Sequence, residues 1–182
     1  MAAGVTGYPV AMTTTTPKVM AVQAAAAAVG AVLLTVGVLG FVPGVTAGYD
    51  TFAWAGHHSG ARLFGIFAVS GAANLIHLGL GLAGLVLSRT YAAARAYLLA
   101  GGAGFLALWG YGLTVAAEDP RNVLALNAAD NWLHLAAGGL MVLFGLTLGA
   151  RRDPTRRPRR RPHGPRPRRH EPRRQPGRGV AA

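Results

Sequence analysis

Cysteine is missing from all 182 residues, which excludes disulfides and thiolate-ligated metal centres but identifies no compartment. Acidic residues are scarce, six in total, and charged side chains make up 13% of the chain against 52% hydrophobic ones. Within residues 1–150 the scarcity is greater: five Lys or Arg face four acids. From Arg151 onward thirteen Arg face one Asp and one Glu, so the net charge of +12 divides into +1 for the body and +11 for the tail. Nine charged side chains are too few to solvate the surface of a 150-residue domain. That composition suits a body whose surface meets lipid. Mean hydropathy stays at +0.34 in spite of the arginine-rich tail. Also lacking is any Ser or carboxylate beside a base in a recognisable motif, so no hydrolase or transferase signature is present and no enzyme is expected.

What the chain does have is four apolar stretches. The first, residues 19–41, reads "VMAVQAAAAAVGAVLLTVGVLGF" and stops before Pro43 and Gly44. The second covers 63–87 and closes at Ser88 and Arg89; the third covers 96–117 and the fourth 132–150. At ~1.5 Å per residue each is long enough for a ~30 Å hydrocarbon core. None has a polar face at helical period, none alternates as a strand does, and a backbone in lipid must satisfy its own hydrogen bonds. The expectation is an all-α, integral membrane four-helix bundle over 19–150, after an N-terminal cytoplasmic segment (1–18) and before a disordered Arg/Pro-rich cytoplasmic tail (151–182).

Basic residues orient it. Lys18, then Arg89 with Arg95, then Arg151 with Arg152 fall on one side of four crossings. Asp50, Glu118, Asp119 and Asp130 fall on the other, with only Arg62 and Arg121. Both termini are thus expected on the cytoplasmic side of the membrane. A competing reading makes the first stretch a cleaved signal peptide, since Val45 and Ala47 precede Gly48 in a small-residue cleavage pattern. Met12 is an alternative start to Met1.

Two of the stretches echo each other. "NLIHLGLGLAGLVL" from Asn74 lies on "NWLHLAAGGLMVLF" from Asn131, matching Asn74 with Asn131, His77 with His134, Leu78 with Leu135 and Gly81 with Gly138. The echo between the first and third stretches is weaker. Two tandem helical hairpins in parallel repeat would produce this pattern, unlike the inverted repeats of many transporters. Asn and His three residues apart share nearly one helix face, and burying them in hydrocarbon without partners is unfavourable, so both pairs should look inward. Mutual interhelical hydrogen bonds, about 0.6 kcal/mol each, are the expected use. Gly79 with Ala83, Ala100 with Gly104 and Ala103 with Ala107 offer small faces for helix approach or for a homo-oligomer. Two alternatives use the same residues: a transporter or proton pathway, with no buried carboxylate to couple it, and a haem held by the two imidazoles. Neither a metal nor another cofactor is otherwise called for.

Outside the apolar stretches, "WAGHHSGARLF" (54–64) sets His57 beside His58, with Trp54 and Tyr49 as interfacial anchors. Adjacent side chains make a poor chelating pair without further ligands. Asp130 reads as the N-terminal cap of the fourth helix, its charge at the positive end, or as a partner for Arg62 or Arg121. The tail has seven Pro in thirty-two residues and cannot pack a core. Next to a bilayer it would meet anionic lipid headgroups at about 1 kcal/mol per basic residue. It lacks the interleaved aromatics that nucleic-acid binding would use.

The segments "GVLGFVPG" (37–44), "AGHHSGARLFGIF" (55–67), "NLIHLGLGLAGL" (74–85), "LWGYGL" (108–113) and "NAADNWLHL" (127–135) together resemble a bacterial membrane family, domain of unknown function 4383. The resemblance covers about residues 19–150. It implies a small four-helix integral membrane protein and brings no assigned activity, so no catalytic residue is carried over.

Overall fold

The computed structural model describes residues 20–148; the expectations for the N-terminal segment and the arginine tail lie outside the described residues. Four α-helices form: α1 (Ala21–Leu39), α2 (Gly71–Leu87), α3 (Tyr91–Gly112) and α4 (Ala128–Thr147). A small antiparallel sheet accompanies them, β1 (Thr46–Ala47), β2 (Arg62–Leu63) and β3 (Phe67–Ala68) in the order β1-β2-β3. The fold is therefore mostly helical with four helices, and the small sheet is an addition that the all-α expectation did not include.

Leu63 of β2 and all of β3 come from the start of the apolar run 63–87 that the sequence assigned to a helix, whereas β1 and Arg62 precede it. Phe64 (φ 54°) and Gly65 (φ 72°) both adopt left-handed backbone, and with Ile66 they form the three-residue turn that joins β2 to β3. α2 begins only after Ser70, whose hydroxyl accepts from the Ala73 amide at 3.3 Å. α3 starts earlier than its apolar stretch because Thr90 caps it through the Ala93 amide at 3.3 Å. At the head of α1 the Gln23 side chain accepts from the Met20 amide at 3.1 Å, satisfying a donor the helix leaves free.

α1 packs chiefly on α2, and α3 chiefly on α4, with smaller contacts linking the two pairs. Each seam is a backbone-to-backbone approach. A Cβ on Gly30 would lie 2.8 Å from the Gly81 carbonyl oxygen, and one on Gly81 the same distance from that of Gly30. In the other pair the reciprocal distances between Gly102 and Gly138 are 2.9 Å. Only glycine fits such a crossing. Gly79 and Gly104, which the sequence offered as packing positions, have open space around a would-be Cβ. They lie off the seams because helix spacing alone does not say which of several small-residue faces meets the neighbour.

A core of Val22, Ala26, Tyr97, Leu98 and Met141 fills the end where α1 and α3 begin and α4 ends. At the same end Arg95 Nε donates to the Gly145 carbonyl at 3.0 Å, and Gln23 Nε2 donates to the Arg89 carbonyl at 3.0 Å. The sheet, with Ala61, Leu63 and Val69 beneath it, closes the other end. By length and composition α1 and α3 are able to cross a membrane, and α2 is a shorter apolar helix. In α1 and α3 only 28% of the most apolar eighteen-residue window is buried inside the protein. The core helix of a soluble domain would be mostly covered.

Candidate functional site: a cavity beside the paired imidazoles

Asn and His separated by three residues sit about 60° apart around a helix. Here that difference sends them to different neighbours. Asn74 is 1% exposed and faces α1, where a Cβ on Gly40 would overlap its carboxamide. Asn131 faces α3, where a Cβ on Gly112 would overlap its carboxamide in the same way. Each Asn thus fills a seat left vacant by a glycine at the end of the neighbouring helix. The expected mutual bonding is corrected: among the described residues no hydrogen bond joins the two Asn–His pairs, and Asn74 Nδ2 and Asn131 Oδ1 have no hydrogen-bond partner. The carboxamides are held apart because each points into its own hairpin seam.

The imidazoles do converge. His77 and His134 both line a cavity of about 450 Å³ between α2, α3 and α4. The Phe105 ring contacts both, with centroids 6.3 Å from His77 and 5.5 Å from His134. His77 Nδ1 lies 2.8 Å from the carbonyl oxygen of Ala73, one turn back in its own helix. His134 is 4% exposed, and its Nδ1 is buried without a hydrogen-bond partner. The lining runs from Ala68, Leu124 and Leu126 at the sheet end to Leu80 and Gly101. Tyr97, Leu98 and Met141 of the packed core lie toward the opposite end.

Asp130 belongs to this lining, in a role different from the one expected. Asn127 is the N-cap of α4, accepting from the Asp130 amide at 2.9 Å, and the Asp130 carboxylate returns the bond by accepting from the Asn127 amide at 3.0 Å. This is a capping box, with the acid at its third helical position. The same oxygen, Oδ2, accepts from the Ala68 amide at 3.2 Å and ties α4 to β3. Arg121 is not its partner. That guanidinium pairs with Asp119 at 2.6 Å, and its hydrogen bonds hold the Asp119 carboxyl down at about 2.

Two contributors escaped the sequence. Asn122, fully buried, organises the loop before α4 by donating to the Leu126 and Ala117 carbonyls and accepting from the Leu126 amide. Phe105 looks like any other apolar residue of α3. The glycine seats had a signal: Gly40 and Gly112 occupy corresponding places ten residues after Gly30 and Gly102.

Nearer the sheet, His57, His58, Arg62 and Glu118 line a second cavity of about 210 Å³, and the two imidazole centroids lie 3.8 Å apart. Among the described residues no group of three or more His, Asp or Glu is placed to hold a metal ion.

A family model described as a domain of unknown function (DUF4383) matches residues 23–147. No curated protein and no solved structure matches the chain.

Proposed function

Because the chain belongs to the DUF4383 family, whose description carries no activity, we propose a role from its own geometry: a four-helix protein of the bacterial cytoplasmic membrane, built as two tandem hairpins, with a structural or interaction role in the bilayer. The observation that carries this reading is the distribution of polarity. Asn74 and His134 are buried, while Leu82 is 58% and Leu140 51% exposed on the outward faces of α2 and α4. Water as the surrounding solvent would favour the reverse arrangement, and lipid favours this one.

Matched seams support the tandem hairpins. Seventy-two residues separate Gly30 from Gly102, Leu34 from Leu106 and Gly40 from Gly112; fifty-seven separate Asn74 from Asn131 and Gly81 from Gly138. Each of these residues takes part in the corresponding close approach of its own hairpin. The orientation rests on charge. Arg89 and Arg95 stand at the end of the helices opposite the sheet, whereas Asp50, Glu118, Asp119 and Asp130 stand at the sheet end, which assigns the former to the cytoplasm. With both termini there, the arginine tail meets anionic headgroups.

A second reading, a transporter or proton pathway, is favoured by the shared cavity of His77 and His134. Its weakness is that the lining stops at Leu80 and Gly101, with packed core beyond, so conduction needs an opened state. In a haem-binding reading the macrocycle would compete with the Phe105 ring, which already contacts both imidazoles.

The absence of cysteine makes topology directly measurable. Ser88→Cys reports the α2–α3 turn and Thr114→Cys the loop after α3. A membrane-impermeant maleimide applied to spheroplasts should label Thr114→Cys from outside and Ser88→Cys only after permeabilisation. Equal labelling of both in intact spheroplasts would reject the arrangement.

A further inference from the structure

The cavity between α2, α3 and α4 has polar chemistry of one kind, and the membrane reading makes no use of it. Asp130 is 6% exposed and spends Oδ2 on two backbone amides, and among the described residues Oδ1 has no hydrogen bond. Among the described residues no cation forms an ion pair with it: Arg121 is taken by Asp119, and Arg62 acts from beyond ion-pair distance. A carboxylate sunk into an apolar wall without a counter-ion is unfavourable unless something else supplies the positive charge.

The imidazoles add acceptors. The carbonyl of Ala73 can only accept, so a neutral His77 carries its proton on Nδ1 and presents a lone pair at Nε2. His134 follows Asp130 by four residues, on the same face of α4, and its Nδ1 is buried without a partner. The remaining polar side chain of the lining, Tyr111, already donates its hydroxyl proton to the Arg121 carbonyl. Everything else is apolar, with the Phe105 ring against both imidazoles. Access is lateral: Ile76 and Gly104 belong to the lining and are both exposed.

We propose that this cavity binds a lipophilic primary ammonium, its N–H groups donated to the Asp130 carboxylate and the imidazole acceptors and its apolar body lying against Phe105. A volume of about 450 Å³ falls within the range of small-molecule sites and has room for an aryl-alkyl chain. Such a ligand supplies the charge that Asp130 lacks, and its cation can also rest on aromatic faces. The same chemistry comes from two sources, a free amphiphilic amine or the headgroup of phosphatidylethanolamine. The inference does not depend on how many times the chain crosses the bilayer, because binding is measured on purified protein whatever its topology.

The test uses the full chain in a neutral detergent and three probes of similar shape, 4-phenylbutylamine, 4-phenylbutanol and butylbenzene, titrated by calorimetry. The amine should bind at least about tenfold more tightly than either uncharged probe, a margin one charge-assisted pair commonly gives. Asp130→Asn keeps acceptors for the capping amides and should erase that margin. Gly104→Leu, whose new side chain enters open space on the cavity lining, should weaken all three probes while leaving thermal unfolding in place. Equal affinity of the wild type for amine and butylbenzene overturns the proposal, and so does a margin that survives in Asp130→Asn. If Asp130→Asn fails to fold, the wild-type probe series and Gly104→Leu decide alone, and unchanged binding in Gly104→Leu places the ligand elsewhere and rejects the site. Repeating the titration in phosphatidylcholine bilayers with and without phosphatidylethanolamine separates the sources: displacement of the amine identifies the headgroup, undiminished binding a free amine.

Discussion

The hairpin α1–α2 and the hairpin α3–α4 are alike along their seams and unlike toward the centre. Both cross at a reciprocal glycine pair, and both seat an Asn side chain over a glycine near the end of the neighbouring helix. On the cavity side they diverge. His77 is bonded to its own helix, His134 has a free nitrogen, and α4 begins with an acid in its capping box where α2 begins with Ser70 alone. Seam contacts that recur are explained by packing. Among the features found in one hairpin only, Asp130 Oδ2 caps α4 and ties it to β3, whereas the unpartnered imidazole nitrogen has no such packing role, and both residues gather at the cavity.

The largest test of this comparison is to overfill the seams. Gly30→Leu and Gly102→Leu should each cost more than about 3 kcal/mol, because the new side chain meets backbone that has nowhere to go. Loss of monodisperse protein in both cases would sharpen the likeness, and tolerance in one hairpin alone would break it. Next come Gly40→Ala and Gly112→Ala. Here the obstruction is the carboxamide of Asn74 or Asn131, a group able to shift, so about 1–2 kcal/mol is expected from each in thermal unfolding.

Asn127→Ala removes the cap that distinguishes α4 and should cost about 1 kcal/mol. The same measurement on Gly79→Ala should show no loss, and a gain of up to about 1 kcal/mol from helix propensity, because that glycine sits off the seam. The smallest effect concerns pH. Folding lowers the Asp119 carboxyl from 3.8 to about 2 through Arg121, so this pair steadies the loop before α4 above pH about 4. Its contribution fades as pH falls through about 2. Protection of the 119–123 amides, taken relative to the intrinsic exchange rate at each pH, should be constant between neutral pH and about 5 and should fall at the acid end, which would agree with that sign.

Much of the fold was legible because apolar length and stop signals are local properties. α1 ends close to where Pro43 and Gly44 predict, and α4 begins at the "NAAD" capping pattern, although the cap is Asn127 and not Asp130. The sheet was hidden. Residues 63–69 are as apolar as a buried helix, and nothing in the sequence announces that Phe64, a residue with a Cβ, takes left-handed backbone. The Asn–His spacing marks polar residues on the helices but not their directions, since about 60° on a helix decides between a seam and a cavity only once neighbouring axes are placed. Phe105 and the Ala68–Asp130 bond are tertiary juxtapositions with no local signature.

The central claim is that lipid bathes the outward faces of these helices while the Asn and His side chains turn inward. Nitroxides attached at Leu82→Cys and Leu140→Cys in reconstituted vesicles test it most directly, by collision with dissolved oxygen, which concentrates in lipid, and with a water-soluble nickel chelate. High oxygen accessibility with little chelate accessibility at both sites is the predicted result. High chelate accessibility at both would place those faces in water and contradict the account.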